Sequence, residues 1–305
     1  MASLRSTRRR ALAGIGTAIA MRSSIATPQV RVHGPILWLV SRGPGHVYLF
    51  PFGEARDRSW YTHKVQRALH SSSELWLELG APPPPERLKA IYRTLGRESG
   101  RTFLEALDER TRSRALKYMQ ELAIDPRTVR SLRPWLAYYT FVAAFDKKFG
   151  HAEGVTPSGP AQLPPEYVLA GEAVKAHKPI RVELTMEEWL RKLADLSDHI
   201  QSQYLDWLFD WFDDERAGRN RDRFDWMRGH LVDRTMLRMH AQYPELYEVM
   251  DGERNRWWAR KIAELIGRGG EYFAAIGQDH CADPEGIPFE LVRLGVVGAC
   301  GLRQV

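Results

Sequence analysis

Strand-like apolar runs lie near both ends of the chain and enclose a long helical stretch, and this order limits the folds that the chain can adopt. Residues 36–40 and 46–50 flank the link Arg42–Gly45, in which glycine and proline favour the tight turn of a β-hairpin. A third run follows at residues 74–79, and another is found close to the C-terminus, at residues 272–276. Because strands must pair to satisfy their backbone groups, we expect strands from the two ends of the chain to meet in one sheet.

Helical spacing of apolar residues dominates the middle block, residues 86–242, with one more strand predicted at residues 179–184. The last strand is predicted near Val296–Cys300. These patterns indicate the α/β (α+β) class, with a mixed central β-sheet built from the N- and C-terminal strands, flanked by helices and carrying the long helical middle segment. We expect residues 27–305 to form a single domain.

Positive charge is concentrated in the first residues and is not spread over the predicted domain. The formal net charge is +6, but residues 1–26 contain five arginines and no acidic residue, so this short leader accounts for nearly all of the excess. A nucleic-acid-binding protein would instead show a basic stripe on its folded domain. We therefore expect no nucleic-acid partner.

Residues 1–26 have the order of a secretory signal peptide. Three arginines, residues 8–10, precede a mildly apolar run at residues 11–21, and the small residues of segment 24–26 offer a cleavage site. Paired arginines before a weakly apolar stretch are similar to a twin-arginine signal, and a disordered basic tail is the alternative interpretation. No apolar run reaches the roughly 18–20 residues that cross a bilayer, so we expect no transmembrane segment in the mature chain. Because the leader resembles an export signal, we expect a periplasmic or secreted protein.

Two cysteines are too few for a disulfide scaffold or a four-cysteine zinc site. In an exported protein, Cys281 and Cys300 could form a bridge near the end of the chain. Either residue is equally well explained as a small buried apolar side chain, so their pairing stays open at this point.

Three polar side chains stand at the ends of predicted strands. Glu54 and His280 each follow a strand after a short link, and Glu78 lies near the end of the third strand. In open α/β sheets, ligand sites collect beyond the strand ends. A carboxylate between Leu77 and Leu79 loses solvation unless a cation, a metal or hydrogen-bond donors compensate it. The alternative is a glutamate on the solvated face of an edge strand.

Arg254 gives a second signal on a predicted helix. It lies one turn after Met250 and one turn before Trp258, which puts it on or beside the apolar face of that helix. A guanidinium held there needs an acidic partner, and its planar fork suits a carboxylate. Glu78 is an available partner, and a purely structural ion pair is the alternative.

Segments in order along the chain are similar to those of one known protein family. They are an opening hairpin at residues 34–38 and 47–50, an acidic strand at residues 73–79, a mid-chain segment at residues 133–136, a C-terminal helix with its end at residues 253–270, and a Gly-Gln-Asp-His motif with its turn at residues 277–286. On these residues the chain resembles the TraB/GumN family, which is related to the Tiki proteases and more distantly to erythromycin-esterase-like and ChaN-like proteins. The resemblance covers nearly all of residues 34–302.

The family pattern implies two G-x-x-H motifs and the acidic strand, proposed to form a divalent-metal site in the Tiki branch. This chain departs from the pattern at the first motif, where Glu54 stands in the histidine position and Pro51 in the glycine position. A carboxylate still binds metals, but the ligand set becomes richer in oxygen. The resemblance therefore implies that Glu54, Glu78 and His280 hold a divalent metal ion of unknown identity, with open positions for a water that the metal activates.

Two functions follow as expectations. The first is a periplasmic metal-dependent hydrolase acting on a small-molecule or peptide substrate, in which Glu54, Glu78 and His280 hold the metal. In that function Arg254 orients Glu78 or binds an anionic substrate or intermediate. The second is a catalytically inactive family member that serves as a binding module, as the missing histidine suggests. A role in envelope or polysaccharide assembly is implied only by the GumN part of the family's name.

The leader makes a direct prediction about the mature protein. If residues 1–26 are an export signal, protein purified from the periplasm or medium should begin near residue 27, which N-terminal sequencing or intact mass measures. Exported protein that still carries Arg8 would contradict the prediction.

Overall fold

The computed structural model describes residues 34–150, 163–231, 234–298 and 302–305. All of them belong to one compact unit, Val32–Val305. The predicted signal peptide and its cleavage site lie outside the described residues. So does Cys300, and with it the question of a bridge to Cys281.

The described strands are β1 Trp38–Arg42, β2 Gly45–Phe52, β3 Glu74–Leu79, β4 Ile180–Leu184, β5 Gly270–Gly277 and β6 Arg303–Gln304. They form one mixed sheet in the order β4-β3-β5-β2-β1-β6, which confirms the predicted fold class. β1 is antiparallel to β2 and β6, whereas β2, β5, β3 and β4 run parallel to one another. The carboxyl ends of four strands therefore open at one edge of the sheet.

The predicted hairpin joins β1 and β2 through a two-residue turn, Gly43-Pro44. Gly43 has φ +63°, a left-handed conformation that glycine adopts without steric cost. Gly45 allows the hairpin to approach the long C-terminal helix, because a Cβ atom there would lie 2.0 Å from the carbonyl oxygen of Ile266.

The described helices are α1 His63–Ser71, α2 Pro85–Leu95, α3 Glu109–Glu121, α4 Pro126–Val129, α5 Pro134–Phe149, α6 Pro165–Lys175, α7 Met186–Asp195, α8 Asp198–Arg216, α9 Arg234–Gln242, α10 Pro244–Tyr247, α11 Glu253–Arg268, α12 Asp279–Ala282 and α13 Ile287–Arg293. Short 3₁₀ turns lie at Arg58–Trp60, Phe103–Ala106 and Arg221–Arg228, and a π-helical turn lies at Glu248–Gly252. Within the described ranges, no helix is both long enough and apolar enough to span a bilayer.

The middle block is largely helical, as predicted, and has its own apolar core. Thr185 begins α7 with a capping box, in which its hydroxyl accepts from the Glu188 backbone N–H while the Glu188 carboxylate accepts from the Thr185 N–H. α7 ends at Asp195, and Ser197 then caps the start of α8, where its hydroxyl accepts from the Ile200 backbone N–H. Phe141, Phe209 and other large buried side chains fill the space between these helices.

Two further apolar clusters cover the two faces of the sheet. On one face Phe50, Leu75 and Leu77 pack with side chains of α1 and α6. On the other face Trp76 and Ile276 pack with residues of α11 and α13. Because side chains alternate along a strand, Glu78 belongs to the same face as Trp76, which is the face that α11 covers.

The predicted strand near Val296–Cys300 is wrong where the structure describes it. Val296 and Val297 lie in the turn that follows α13, and the last strand is the short β6. The Val296 N–H bonds to the Leu291 carbonyl, and Gly295, with φ +66°, bonds to the Val292 carbonyl. The end of the helix thus uses the backbone donors that a strand would offer to a neighbour.

Candidate active site

Two glutamates lie side by side at the carboxyl edge of the sheet. Leu77 pairs with Val182 and Leu79 pairs with Leu184, so the register places Glu78 of β3 next to Glu183 of β4 on the α11 face. The Glu183 side chain is only 6% exposed. Two neighbouring carboxylates with so little access to water require a cation.

Arg254 of α11 supplies that cation. Its Nε and Nη2 atoms donate to the two oxygens of Glu183 at 2.8 and 2.7 Å, and Nη2 lies 3.0 Å from Glu78 Oε1. One turn further along α11, the Trp258 indole N–H donates to Glu183 at 2.7 Å. The guanidinium also lies over the ring of Trp189. The contact between Arg254 and Glu78 suggested by the sequence is present, and Glu183 is a second partner.

His280, on the short helix α12 beyond β5, contacts the Glu78 carboxylate. Its Nε2 atom lies 3.5 Å from Glu78 Oε1, and its Nδ1 atom lies 2.7 Å from Asn255 Oδ1. The Asn255 amide group donates to Asp283 at 3.2 Å, which fixes Oδ1 as the atom that faces the imidazole. Nδ1 therefore carries the proton donated to Asn255, and Nε2 faces Glu78.

Behind His280, this polar chain continues into the protein. The Tyr247 hydroxyl donates to Asp283, and the Glu285 backbone N–H donates to the other oxygen of Asp283 at 3.1 Å. Asn255 and Asp283 are both buried. The chain of hydrogen bonds holds the imidazole in one orientation.

Asp251 enters the site from the π-helical turn that precedes α11. Its Oδ1 lies 3.6 Å from His280 Nδ1. Burial raises the pKa of Asp251, an effect that the charges of His280 and Arg254 partly oppose. Single π turns within helices occur frequently at functional sites. This one directs the Asp251 carboxylate into the polar cluster that also contains Glu78, Glu183, Arg254, Asn255, Asp279 and His280.

The charges of the cluster set opposite protonation states on its members. Burial favours neutral Glu78, but Arg254, His280 and the Gly277 backbone N–H, which donates at 2.8 Å, outweigh it and hold the Glu78 pKa well below its usual range. Burial also favours the neutral form of His280 and so lowers its pKa. The negative charge of Glu78 outweighs this effect and raises the His280 pKa above 6.5. Glu78 is thus ionised and helps to keep the imidazole protonated.

Asp279 is the most exposed carboxylate of this cluster. Desolvation among the surrounding protein atoms, together with the charges of Asp251 and Glu78, raises the pKa of Asp279 to about 7. A group that titrates near neutrality can both accept and release a proton under ordinary conditions.

The cluster forms the floor of an open cleft. A cavity of about 200 Å³ is lined by Glu78, His280 and Asp279 together with aromatic and methionine side chains from the helical block. A larger cavity of about 580 Å³ shares Trp207, Gly277 and Asp279 with it. Trp207 and Trp211, one turn apart on α8, contact the helical core and also line the larger cavity.

Glu54 lies in the larger cavity and faces a different partner. Its Oε2 atom accepts from Arg223 Nε at 3.0 Å, and 61% of its side chain is exposed. Arg223 also binds the oxygens of Glu215 at 3.0 and 2.8 Å. The loop before Glu54 fits closely against Gln278, since a Cβ atom on Gly53 would lie 2.6 Å from the Gln278 side-chain nitrogen.

The structure brings two of the three predicted metal ligands together and gives the third a different partner. Glu78 and His280 are in contact, but Glu54 is bound to Arg223, and Arg254 occupies the cation position beside Glu78. Over the described ranges, no group of three or more His, Cys, Asp or Glu side chains is arranged to hold a metal. The ligand set Glu54, Glu78 and His280 stays a prediction from the resemblance.

A sequence model described as the TraB/PrgY/gumN family matches residues 36–296, which is most of the chain. The chain belongs to this family. The searches of curated proteins and of solved structures gave no match to this chain. Glu54, Glu78, Arg254 and His280 all lie within the part that matches the TraB/PrgY/gumN family.

Several members of the cluster were not found from the sequence. Glu183 shows the same signal as Glu78, an acid near the end of an apolar strand, and could have been selected on it. Asp279 adjoins His280 in the G-x-x-H motif. Asn255 and Asp251 gave no usable signal, because polar residues are common on exposed helix faces and the π turn changes the helical spacing around them.

The contact between Glu78 and His280 predicts how the imidazole titrates. We expect the His280 pKa, followed by NMR in the wild type and assigned with His280→Ala, to lie above 6.5 and to fall by about one or more in Glu78→Gln. A His280 pKa that is raised on folding stabilises the native state below pH 6.5, and this contribution is lost as the pH rises through the native value.

Glu74→Gln is the matched control, since Glu74 lies on the same strand and binds Trp76 instead. We expect it to leave the His280 titration unchanged. A His280 pKa that is equal in the wild type and in Glu78→Gln would contradict this view of the site.

Proposed function

We propose that the protein is a hydrolase that cleaves an ester or amide bond in a small-molecule or peptide substrate with its own acid–base groups, Asp279 and His280. The observation that carries the proposal is that both residues line one cavity at the carboxyl edge of the sheet. Asp279 titrates near neutrality, whereas Glu78 favours the protonated form of His280. Neighbouring groups with such different environments suit the roles of base and acid.

Asp279 acts as the general base. It takes a proton from a water molecule as the water oxygen attacks the carbonyl carbon of the substrate. The protonated His280 donates its Nε2 proton to the leaving oxygen or nitrogen as the carbonyl bond to that atom breaks. The products are a carboxylic acid and an alcohol or amine, and the proton then held by Asp279 returns to His280 through solvent in the cleft.

Glu78, Arg254 and Asn255 are positioning residues in this scheme. Asn255 orients the imidazole, Glu78 stabilises its protonated form, and Arg254 holds Glu78 in place. The methionine and aromatic walls of the smaller cavity reduce the local dielectric constant, which strengthens these charge interactions.

A non-catalytic binding protein is the second candidate, because the position of the first motif histidine holds Glu54, and Glu54 is committed to Arg223. In that case the buried charges serve only to hold α11 against the sheet. A role in envelope or polysaccharide assembly would then rest on surfaces away from the cluster.

The proposed location is the periplasm or the exterior of the cell. It rests on the sequence of residues 1–26 alone, and the N-terminus of the exported protein tests it.

A panel of chromogenic esters, anilides and short peptides tests the proposed reaction. We expect turnover by the wild type, and a loss of roughly a hundredfold or more in kcat for Asp279→Asn and for His280→Ala, which is the usual contribution of a general base or acid. Activity should rise with pH through about 7 as Asp279 loses its proton. His230→Ala and Asp195→Asn change exposed residues of the same types and should retain wild-type activity.

Chelation separates this mechanism from the metal-dependent one. Unchanged turnover after treatment with a chelator supports the acid–base scheme. Loss of turnover that a divalent ion restores would overturn it in favour of the ligand set Glu54, Glu78 and His280. Absence of turnover across the panel, with Asp279→Asn fully functional in cells, would favour the binding protein.

A further inference from the structure

The proposed chemistry occupies only the smaller cavity and leaves the larger one without a role. The larger cavity, about 580 Å³, has room for a substantial part of a ligand. Its apolar walls are mainly aromatic and proline side chains, namely Phe52, Pro164, Pro165, Trp207, Trp211 and Phe224. The two tryptophans are half-buried, so their rings can contact a ligand.

The charged groups around this cavity are predominantly acidic. Four carboxylates line it, from Glu54, Glu166, Asp222 and Asp279, whereas Arg223 is the one Lys or Arg in its described lining. Arg223 is already bound to Glu54 and to a further glutamate outside the lining.

Two of these carboxylates have no cationic partner within the described residues. Asp222 pairs with Arg234 at 2.8 Å, and Glu54 pairs with Arg223. For Glu166 and Asp279, by contrast, no ion pair with Lys or Arg is found among the residues that the structure describes.

The wall also contains two buried acceptors without hydrogen bonds. Glu166 Oε2 and Gln278 Oε1 are both inaccessible to solvent and have no partner in the described part of the chain. Gln278 is only 8% exposed, and its amide nitrogen donates to the Arg223 carbonyl at 3.4 Å, which leaves Oε1 as the unsatisfied atom. Unpaired buried acceptors are unfavourable, and a donor that reached them after a small side-chain rotation would relieve this cost.

We propose that the larger cavity binds a primary alkylammonium group, with its charge towards Glu166 and its alkyl chain against Trp207 and Trp211. An ammonium group supplies three donors and a positive charge, which fit the unpaired acceptors and the excess of carboxylates. The faces of tryptophan rings attract cations and also cover the methylene groups next to the charge. A neutral hydroxyl group would satisfy an acceptor but would leave the negative charge uncompensated.

Since Asp279 lies in both cavities, an ammonium in the larger one would place the rest of its ligand at the acid–base pair. The identification of this ligand as the substrate rests on the proposed function. The binding of the cation does not, and it is measurable in the full chain without turnover.

Calorimetric or tryptophan-fluorescence titration with n-pentylammonium tests the subsite, with n-pentanol as the neutral control of the same length. We expect saturable binding of the amine and at least tenfold weaker binding of the alcohol. Glu166→Gln, which keeps the shape and removes the charge, should weaken the amine by roughly tenfold, and Trp211→Leu should also weaken it.

Glu172→Gln is the matched control, because Glu172 lies on the same helix, pairs with Lys175 and is absent from the cavity lining. It should bind the amine as the wild type does. Equal binding of amine and alcohol, or an unchanged affinity in Glu166→Gln, would overturn the subsite. Amine binding without turnover of any substrate would support the subsite while removing the proposed hydrolysis. Turnover without preference for amine-bearing substrates would support the hydrolysis while removing the identification of the amine as part of the substrate.

Discussion

The buried contact of Arg254 with Glu78 and Glu183 is the constraint on which the site depends. The parallel register of β3 and β4 forces two carboxylates next to each other on one face of the sheet. The covering helix α11 supplies a cation that contacts both of them, a guanidinium whose fork matches Glu183. The ion pair therefore joins two strands and a helix at the point where the cleft opens.

The chemistry of the neighbouring groups follows from that contact. Because Arg254 keeps Glu78 ionised and in place, Glu78 is available to favour protonated His280. Asn255, one residue after Arg254 on α11, orients the same imidazole. A single helix thus positions both the acid that acts on His280 and the amide that holds it, so the position of α11 on the sheet controls the geometry of the site.

The sequence predicted the features that depend on local patterns. Strands and helices have periodic signals. Glu78 and Arg254 stand out because charge next to apolar residues requires a partner, and His280 stands out because it follows the end of a strand. Glu183 carries the same local signal as Glu78, an acid near the end of an apolar strand, but its place beside Glu78 depends on the pairing of β3 with β4, which joins segments about a hundred residues apart and has no local pattern. The last strand was misplaced because an apolar pair of valines closes a helix end there.

Glu54 shows a different limit of sequence reasoning. Its place in the order of motifs suggested a shared site with Glu78 and His280, yet a side chain two residues beyond a strand end can turn towards several neighbours. Arg223, which comes from the helical block, decides its direction. Such a choice depends on the packing of distant segments and is not visible in the spacing of residues.

Equilibrium unfolding of a variant series tests the central claim most directly. Arg254→Met should lower the free energy of unfolding by about 3–5 kcal/mol, because it leaves two buried carboxylates without their cation. Adding Glu78→Gln and Glu183→Gln to the same chain should recover a large part of that loss, since the charges that needed Arg254 are then gone. A small effect of Arg254→Met, or a triple variant in which the three losses simply add, would contradict the account.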